Sequence, residues 1–228
     1  MRKILVSITT TYNSDWRAKI REINKFGLEE VALFPTCLNK KERKELYGML
    51  EKSIVKSIPL VHLRDDMVLK ELDFLAERFK VRVFNIHPCA EYPYKESDYG
   101  KYKKMIYIEN VYLPLDEEEV KKMGGVCLDF THLENDRIVQ PGKFKHNLRI
   151  IEKYPIGCNH ISCLEKNSHQ DQLGYLRYDR HFLRKFSQLD YLKKYPKKYF
   201  SPFVAIELEN TIEKQLEIRD YLMNKIIK

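Results

Sequence analysis

Long apolar runs are absent from this chain, and their absence excludes a helical membrane span. No stretch of the 228 residues approaches the ~18 consecutive apolar residues that such a span needs. The amino-terminal segment M-R-K-I-L-V-S-I-T-T has two basic residues and a short apolar run, but no small-residue cleavage site follows. We therefore interpret it as a first β-strand and not a signal peptide, and we expect a cytoplasmic protein with no membrane partner.

Disulfide-like cysteine spacing is also absent. The five cysteines are Cys37, Cys89, Cys127, Cys158 and Cys163. An odd number of cysteines without a secretion signal indicates reduced thiols in a cytoplasm. Cys158 and Cys163 flank His160, a pattern that suggests zinc, but their spacing is loose for a zinc site. We interpret both as small buried apolar groups.

Linkers and low-complexity tracts are absent as well, so we expect residues 1–228 to form a single domain. Hydrophobic residues make up 43% of the chain and charged residues 32%, which excludes a disordered protein. The formal net charge of +8 favours a polyanionic partner, either nucleic acid or a phosphorylated substrate. A Lys/Glu-rich surface without such a partner is the alternative. Nothing in the sequence indicates an obligate protein partner.

The apolar pattern alternates between short β-rich runs and amphipathic helical stretches. Strands are predicted at 3–9, 31–34, 58–62, 81–87, 105–109, 126–129, 156–161 and 203–208, and helices at 15–26, 40–52, 67–79 and 211–228. Alternating β and α segments favour a parallel sheet, and eight such units favour a closed (β/α)8 TIM barrel of the α/β class. The Tyr- and Lys-rich segment 89–104 predicts a degenerate helix between the fourth and fifth strands.

Carboxylates and imidazoles stand at the ends of six consecutive predicted strands. They are His62, His87, Glu109, Asp129 with His132, His160, and Glu207 with Glu209. In a barrel these carboxyl-terminal strand ends form one rim, which carries the chemistry. Unpaired carboxylates 4 Å apart there would repel by roughly 4 kcal/mol per pair at an effective dielectric near 20, and bound cations remove that cost. Mixed His and carboxylate ligands suit zinc, manganese or iron better than magnesium or calcium.

Four motifs at these positions resemble endonuclease IV, an apurinic/apyrimidinic endonuclease family with a xylose-isomerase-like barrel. They are I-E-N at 108–110, G-V-C-L-D-F-T-H at 125–132, N-H-I at 159–161 and Y-D-R-H at 178–181. The resemblance runs from about His62 to Glu207. It implies a zinc-dependent hydrolase that cuts DNA on the 5′ side of abasic sites during DNA repair. DNA with abasic sites is then the expected partner.

The resemblance also implies nine ligands for up to three zinc ions, with manganese or iron as alternatives. The implied groups are His62, His87 and Glu109 for one ion; Glu109, Asp129, His160 and Glu207 for a second; and His132, Asp179 and His181 for a third. Glu109, as the bridge between two ions, is the expected catalytic residue. Zinc clusters suit phosphodiester hydrolysis because they activate water and neutralise charge on the phosphate oxygens.

A one-metal enzyme is the main alternative. The quartet of Glu109, Asp129, His160 and Glu207 is shared with mononuclear sugar isomerases and epimerases of the same barrel, in which Glu109 and Glu207 would be the acid/base pair. Only the D-x-x-H and D-x-H motifs, together with the two earlier histidines, favour the endonuclease-like branch.

Basic residues near the predicted rim are candidates for phosphate contacts. Lys40, Lys41 and Arg43 follow the second strand, Arg64 follows the third, and Arg180 lies within Y-D-R-H. A solvated surface is the alternative. The polar segment 164–177 is expected to be a loop over the barrel mouth. His146 and His169 belong to no implied ligand group, and we interpret both as surface residues.

Overall fold

Eight parallel strands form a closed barrel in the part of the chain that the computed structural model describes, residues 2–171 and 174–227. The barrel strands, called first to eighth in chain order, are Lys3–Leu5 with Ser7–Thr9, Ala32–Phe34, Leu60–His62, Val83–Ile86, Ile106–Glu109, Val126–Asp129, Ile156–Ile161 and Phe203–Ile206. The two halves of the first strand pair with the eighth and the second strand respectively, and this closes the ring. The predicted (β/α)8 fold is confirmed.

Helices connect most of the strands. The α-helices are α1 (Trp16–Lys25), α2 (Lys40–Glu51), α3 (Leu69–Phe79), α4 (Glu117–Lys122), α5 (Phe130–Val139), α6 (Pro141–Lys153) and α7 (Ile212–Lys225). Three segments of 3-10 helix occupy Glu96–Met105, Phe186–Lys194 and Lys197–Tyr199. Among the described residues, no helix has both the length and the apolar character to cross a membrane.

The connection between the fourth and fifth strands is a kinked 3-10 segment, as the Tyr-rich pattern predicts. Gly100 has a φ of 47°, a left-handed conformation that interrupts any regular helix there. Tyr99 and Tyr102 are buried on this flank. The tyrosine rings therefore supply the apolar cover that an amphipathic helix would provide elsewhere.

Side chains alternate between the outer and inner faces of each strand, and this alternation positions the site. The inner layer of the barrel consists of Leu5, Ala32, Phe34, Leu60, Val83, Cys127, Cys158 and Ala205. Two positions further along five of these strands, on the same face, come His62, Asn85, Asp129, His160 and Glu207. An apolar plug thus fills the barrel below, and a polar layer lies above it at the carboxyl-terminal ends. Cys158 and Cys163 are buried and unpaired, as expected.

A β-hairpin follows the seventh strand where a loop was predicted over residues 164–177. Its strands, Cys163–Gln170 and Leu176–Arg180, pair antiparallel. Residues 172 and 173, within the predicted loop, lie outside the described residues. The loop prediction was wrong because the hairpin carries polar residues on both faces, so it lacks the apolar alternation of a core strand.

Candidate metal centre

A cavity of about 920 Å³ opens at the carboxyl-terminal ends of the barrel strands. Seven of the nine predicted ligands line it, namely His62, His87, Glu109, His132, Asp179, His181 and Glu207. The other two, Asp129 and His160, are completely buried just beneath it. All nine therefore lie at the face of the barrel on which chemistry is expected.

Four of these residues form one cluster. Donor atoms of Glu109, Asp129, His160 and Glu207 all lie within 4.8 Å of one another. Nδ1 of His160 is 3.3 Å from Oε2 of Glu109 and 3.2 Å from Oε2 of Glu207, although neither contact has hydrogen-bond geometry. The arrangement offers three carboxylates and one imidazole to a single point, which we call the inner group.

A second group shares Glu109. Donor atoms of His62, His87 and Glu109 also lie within 4.8 Å of one another, and Nε2 of His62 is 3.1 Å from Oε2 of Glu109. We call this the outer group. Glu109 is therefore common to both groups, as the sequence resemblance implies for a bridging carboxylate.

Local hydrogen bonds hold the ligands in place. Asp129 ends the sixth strand and caps α5, because its Oδ1 accepts a 2.7 Å hydrogen bond from the His132 amide. Asn110 exchanges two hydrogen bonds with the backbone of Asp129, at 2.9 and 3.0 Å. Nδ1 of His62 donates to the Leu63 carbonyl at 2.8 Å, which leaves Nε2 facing Glu109. Within D-F-T-H, Asp129 is therefore both the cap of α5 and a candidate metal ligand.

The charges of the inner group perturb one another. Burial, together with the charges on Glu109 and Glu207, raises the pKa of Asp129 to about 6. Burial opposes ionisation of Glu109 as well, but the neighbouring His160 and His62 outweigh it and hold the pKa of Glu109 well below its usual range. In the outer group, burial and the adjacent His62 lower the pKa of His87 to about 3, so that its imidazole is neutral at neutral pH. Burial opposes the charge on His160, but Glu109 and Glu207 outweigh it and raise the pKa of His160 well above its usual range. Metal ions bind neutral imidazoles and ionised carboxylates, so an ion in the inner group would displace a proton from His160.

Unpartnered polar atoms indicate what the inner group accommodates. Oδ2 of Asp129, Oε2 of Glu207 and both ring nitrogens of His160 are buried without a hydrogen-bond partner among the described residues. Buried polar atoms without partners are costly and uncommon, and here several converge on one point. A divalent cation would satisfy them together, so the residues present fit a metal ion, with a donor set suited to zinc, manganese or iron.

The third predicted group is arranged differently. Nδ1 of His132 lies 3.3 Å from Oδ2 of Asp179, and the rings of His132 and His181 are 6.4 Å apart between centroids. The guanidinium of Arg177 binds both Asp179 oxygens and contacts Nδ1 of His132. Among the described residues, these three predicted ligands do not gather in the way that the inner and outer groups do. A third ion at this point stays a prediction.

The five predicted phosphate contacts have different surroundings. Lys40 and Lys41 are exposed at the start of α2, away from the cavity lining, whereas Arg64 and Arg180 line the cavity. Arg43 needs correction, because its side chain is 0% exposed and its guanidinium is bound by Asp66 at 3.0 Å and Glu71 at 2.7 Å. It is not available to a phosphate, since α2 turns that position inward, where Arg43 ties α2 to α3 and to the loop before α3.

Several cavity residues were missed at the level of sequence. His169 lines the cavity, and its buried Nδ1 has no hydrogen-bond partner within the described part of the chain, so its interpretation as a surface residue needs correction. Asn85 donates a 2.7 Å hydrogen bond from its buried side chain to Oε2 of Glu109. Arg177 and His169 are register partners in the hairpin, and recognising that hairpin would have brought both to the mouth. The other leftover histidine, His146, is half-buried and bonds to the Leu115 carbonyl.

Aromatic side chains surround the mouth of the cavity. Tyr12, Tyr92 and Phe182 line it and are 83%, 44% and 48% exposed. Tyr112 also lines it and packs against the exposed Tyr175 of the hairpin, with ring centroids 5.4 Å apart. We call these five residues the aromatic rim. The exposed rings lie on three separate connections and are available to stack on planar or sugar-like ligands, whereas Tyr112 is half-buried.

Known proteins add little to this description. No protein-family model matches the chain, and no curated protein is similar to it in sequence. Among solved structures, it is similar to a probable 3-DHS dehydratase from Bacillus anthracis, at 12% identity and a TM-score of 0.46 over 99% of this chain and 100% of that one. It is also similar to a xylose isomerase-like TIM barrel protein from Mycobacterium smegmatis, solved with magnesium, at 10% identity and a TM-score of 0.49 over 98% and 96% of the chains. Both are too distant to bear on function, and the barrel assignment rests on the strand order itself.

Proposed function

We propose that this protein is a metal-dependent hydrolase of phosphodiesters whose substrate is DNA with abasic sites. The observation that carries the proposal is the position of Glu109, which belongs to both the inner and the outer ligand group. A carboxylate shared in this way is suited to hold two ions side by side. Two ions so held would activate a water molecule and neutralise charge on the attacking and leaving oxygens of a phosphodiester.

The protein side chains have separate tasks in this scheme. His62 and His87 would hold one ion with Glu109, and Asp129, His160 and Glu207 would hold the other. Zinc fits this donor set best, with manganese and iron as alternatives. Asn85 orients Glu109 through its 2.7 Å hydrogen bond, and the buried apolar layer below limits the access of water from the inner side of the group.

Charge and aromatic residues at the mouth support a nucleic acid as the substrate. The chain carries a net charge of +8, and the cavity lining includes Arg64 and Arg180, whose partners Asp66 and Glu165 a phosphate would have to displace in part. The aromatic rim offers rings on which exposed bases stack irrespective of sequence. An abasic nucleotide displaced from a duplex would leave its neighbouring bases free for such stacking.

A one-metal sugar isomerase or epimerase is the second candidate. The inner group favours it, because its three carboxylates and one imidazole suffice for a single divalent ion without the outer group. In this reading Glu109 and Glu207 would transfer protons to and from the sugar. A cavity of about 920 Å³ also suits a small ligand.

A nicking assay tests the first candidate against the second. The zinc-loaded protein is incubated with a duplex that carries one abasic site and with the same duplex intact, and the products are separated on a denaturing gel. We expect cleavage on the 5′ side of the abasic site only, and its loss in the double variant His62→Ala, His87→Ala. Isomerisation of a sugar by both proteins, with no nicking by either, would contradict the hydrolase and support the isomerase.

A further inference from the structure

Arg177 lies between two of the residues that the sequence assigns to a third metal ion. Its Nε donates to Oδ1 of Asp179 at 2.7 Å, and its Nη2 donates to Oδ2 at 2.9 Å. The same Nη2 contacts Nδ1 of His132. The guanidinium therefore occupies both carboxylate oxygens in a bidentate pair and reaches the imidazole as well, so the two groups that would face an ion face this cation.

The surrounding structure forms this pair without help from a ligand. Arg177 and Asp179 are two residues apart on one hairpin strand, so their side chains share its inward face. They are only 5% and 7% exposed. The guanidinium lies over the ring of Tyr112 at 4.8 Å, and the Tyr178 amide donates to Oδ1 of Asn135 at 2.8 Å, which ties the strand to α5. A planar guanidinium that stacks on a ring and pairs with a carboxylate loses little freedom on binding.

The contrast with the inner group is direct. Asp129, His160 and Glu207 retain buried atoms for which residues 2–171 and 174–227 provide no hydrogen-bond partner, whereas both oxygens of Asp179 are satisfied by Arg177. An ion at this point would have to displace a buried charge from its carboxylate partner.

We propose that Arg177 takes the place of a third ion, so that the site combines two exchangeable ions with one positive charge built into the chain. The proposal rests on the two-ion site described above. Because Arg177 lines the same cavity, its charge lies where the anionic oxygen of a phosphodiester would be bound. This part of the site then keeps its charge when metal is scarce.

Counting zinc ions in four proteins tests the proposal. Wild type, Arg177→Met, the double variant Arg177→Met, His132→Ala, and Arg180→Met are loaded with excess zinc, freed of unbound metal, and measured by native mass spectrometry. Arg180 is the matched control, since it is an exposed arginine of the same strand that pairs with Glu165. Circular dichroism checks that each variant is folded.

We expect two ions in wild type, three in Arg177→Met because Asp179 and His132 are released, and two in each of the other proteins. Three ions in wild type would overturn the proposal even if no variant folded. An unchanged count in folded Arg177→Met would overturn it too. Fewer than two ions in wild type would instead contradict the two-ion hydrolase. The proposal about Arg177 would then depend on whether Arg177→Met binds one ion more than wild type.

Discussion

Two clusters of carboxylates and histidines lie at one barrel mouth, and they differ in whether their buried donor atoms have partners. The inner group has three carboxylates and one histidine, and several of its buried atoms lack a partner among the described residues. The group around Asp179 has one carboxylate and two histidines, and a guanidinium from its own strand satisfies the carboxylate. The inner group therefore keeps buried donor atoms that could face an ion, whereas the Asp179 carboxylate already has a cation from its own strand.

The origin of this difference is topological. Each inner-group side chain ends a different barrel strand, and the interior layer below is apolar, so no long basic side chain approaches from beneath. Asp179 instead lies on a hairpin strand, where the residue two positions earlier shares its face. Arg177 is that residue, and it reaches Asp179 without any change in the fold.

Removing the shared ligand has the largest expected effect. Glu109→Gln takes a charged donor from both groups, so we expect the loss of at least one ion. Nicking of abasic DNA should fall by ~100-fold or more, because even the hydrogen-bond partners of metal ligands affect activity by about 10–100-fold. Glu213→Gln, an exposed change on α7, is the matched control. Full activity and an unchanged ion count in Glu109→Gln would contradict the bridging role.

Paired histidine variants compare the two clusters directly. His160→Ala should reduce the zinc count by one, because this imidazole faces Glu109 and Glu207 at 3.3 and 3.2 Å. His132→Ala should leave the count unchanged, because its partner Asp179 remains bound to Arg177. Zinc counting on both proteins decides the matter. Loss of an ion from His132→Ala would mean that the two clusters are alike after all.

A smaller effect is expected from the residue that orients Glu109. Asn85→Ala removes the 2.7 Å hydrogen bond to Oε2 of Glu109, and we expect zinc affinity to fall by ~10–100-fold while the ion count at saturation is retained. Competition with a fluorescent chelator measures the affinity. Asn167→Ala, an exposed change on the hairpin, should behave as wild type. An unaltered zinc affinity in Asn85→Ala would show that Asn85 does not orient Glu109 for metal binding.

Lys19 is a second buried cation, and unlike Arg177 it has no carboxylate partner within the described ranges of the chain. The effect expected from changing it, on stability as a function of pH, is the smallest of the set. Its amine is buried and donates to Oγ1 of Thr9 and to the Leu208 carbonyl, both neutral acceptors, and burial lowers its pKa to about 7. Between pH 7 and its ordinary pKa of 10.5, the unfolded chain binds a proton that the folded chain does not. Stability should therefore rise with pH across this window, by up to ~1.4 kcal/mol per pH unit.

Chemical denaturation between pH 7 and pH 10 checks this expectation. The slope should be shallower in Lys19→Met and unchanged in Lys25→Met, which alters an exposed lysine of the same helix. Equal slopes in all three proteins would mean that Lys19 keeps its positive charge in the folded chain, as Arg177 does beside Asp179.

The barrel, and the gathering of the candidate ligands at one rim, could be predicted from the sequence for a physical reason. Strand ends in a (β/α)8 barrel share one rim, so a carboxylate or imidazole after each apolar run is enough to bring His62, Glu109, Asp129 and His160 together. Three other features depend on contacts that no local pattern reports. They are the burial of Arg43 between Asp66 and Glu71, the hairpin that replaces the predicted loop, and the pairing of Arg177 with Asp179.

The number of zinc ions bound by the wild-type chain separates a two-ion site from a one-ion site. Native mass spectrometry of the zinc-saturated protein, after unbound metal is removed, measures it in one experiment. We expect two ions per chain, held by the two ligand groups that share Glu109. A single ion per chain would contradict the two-ion site.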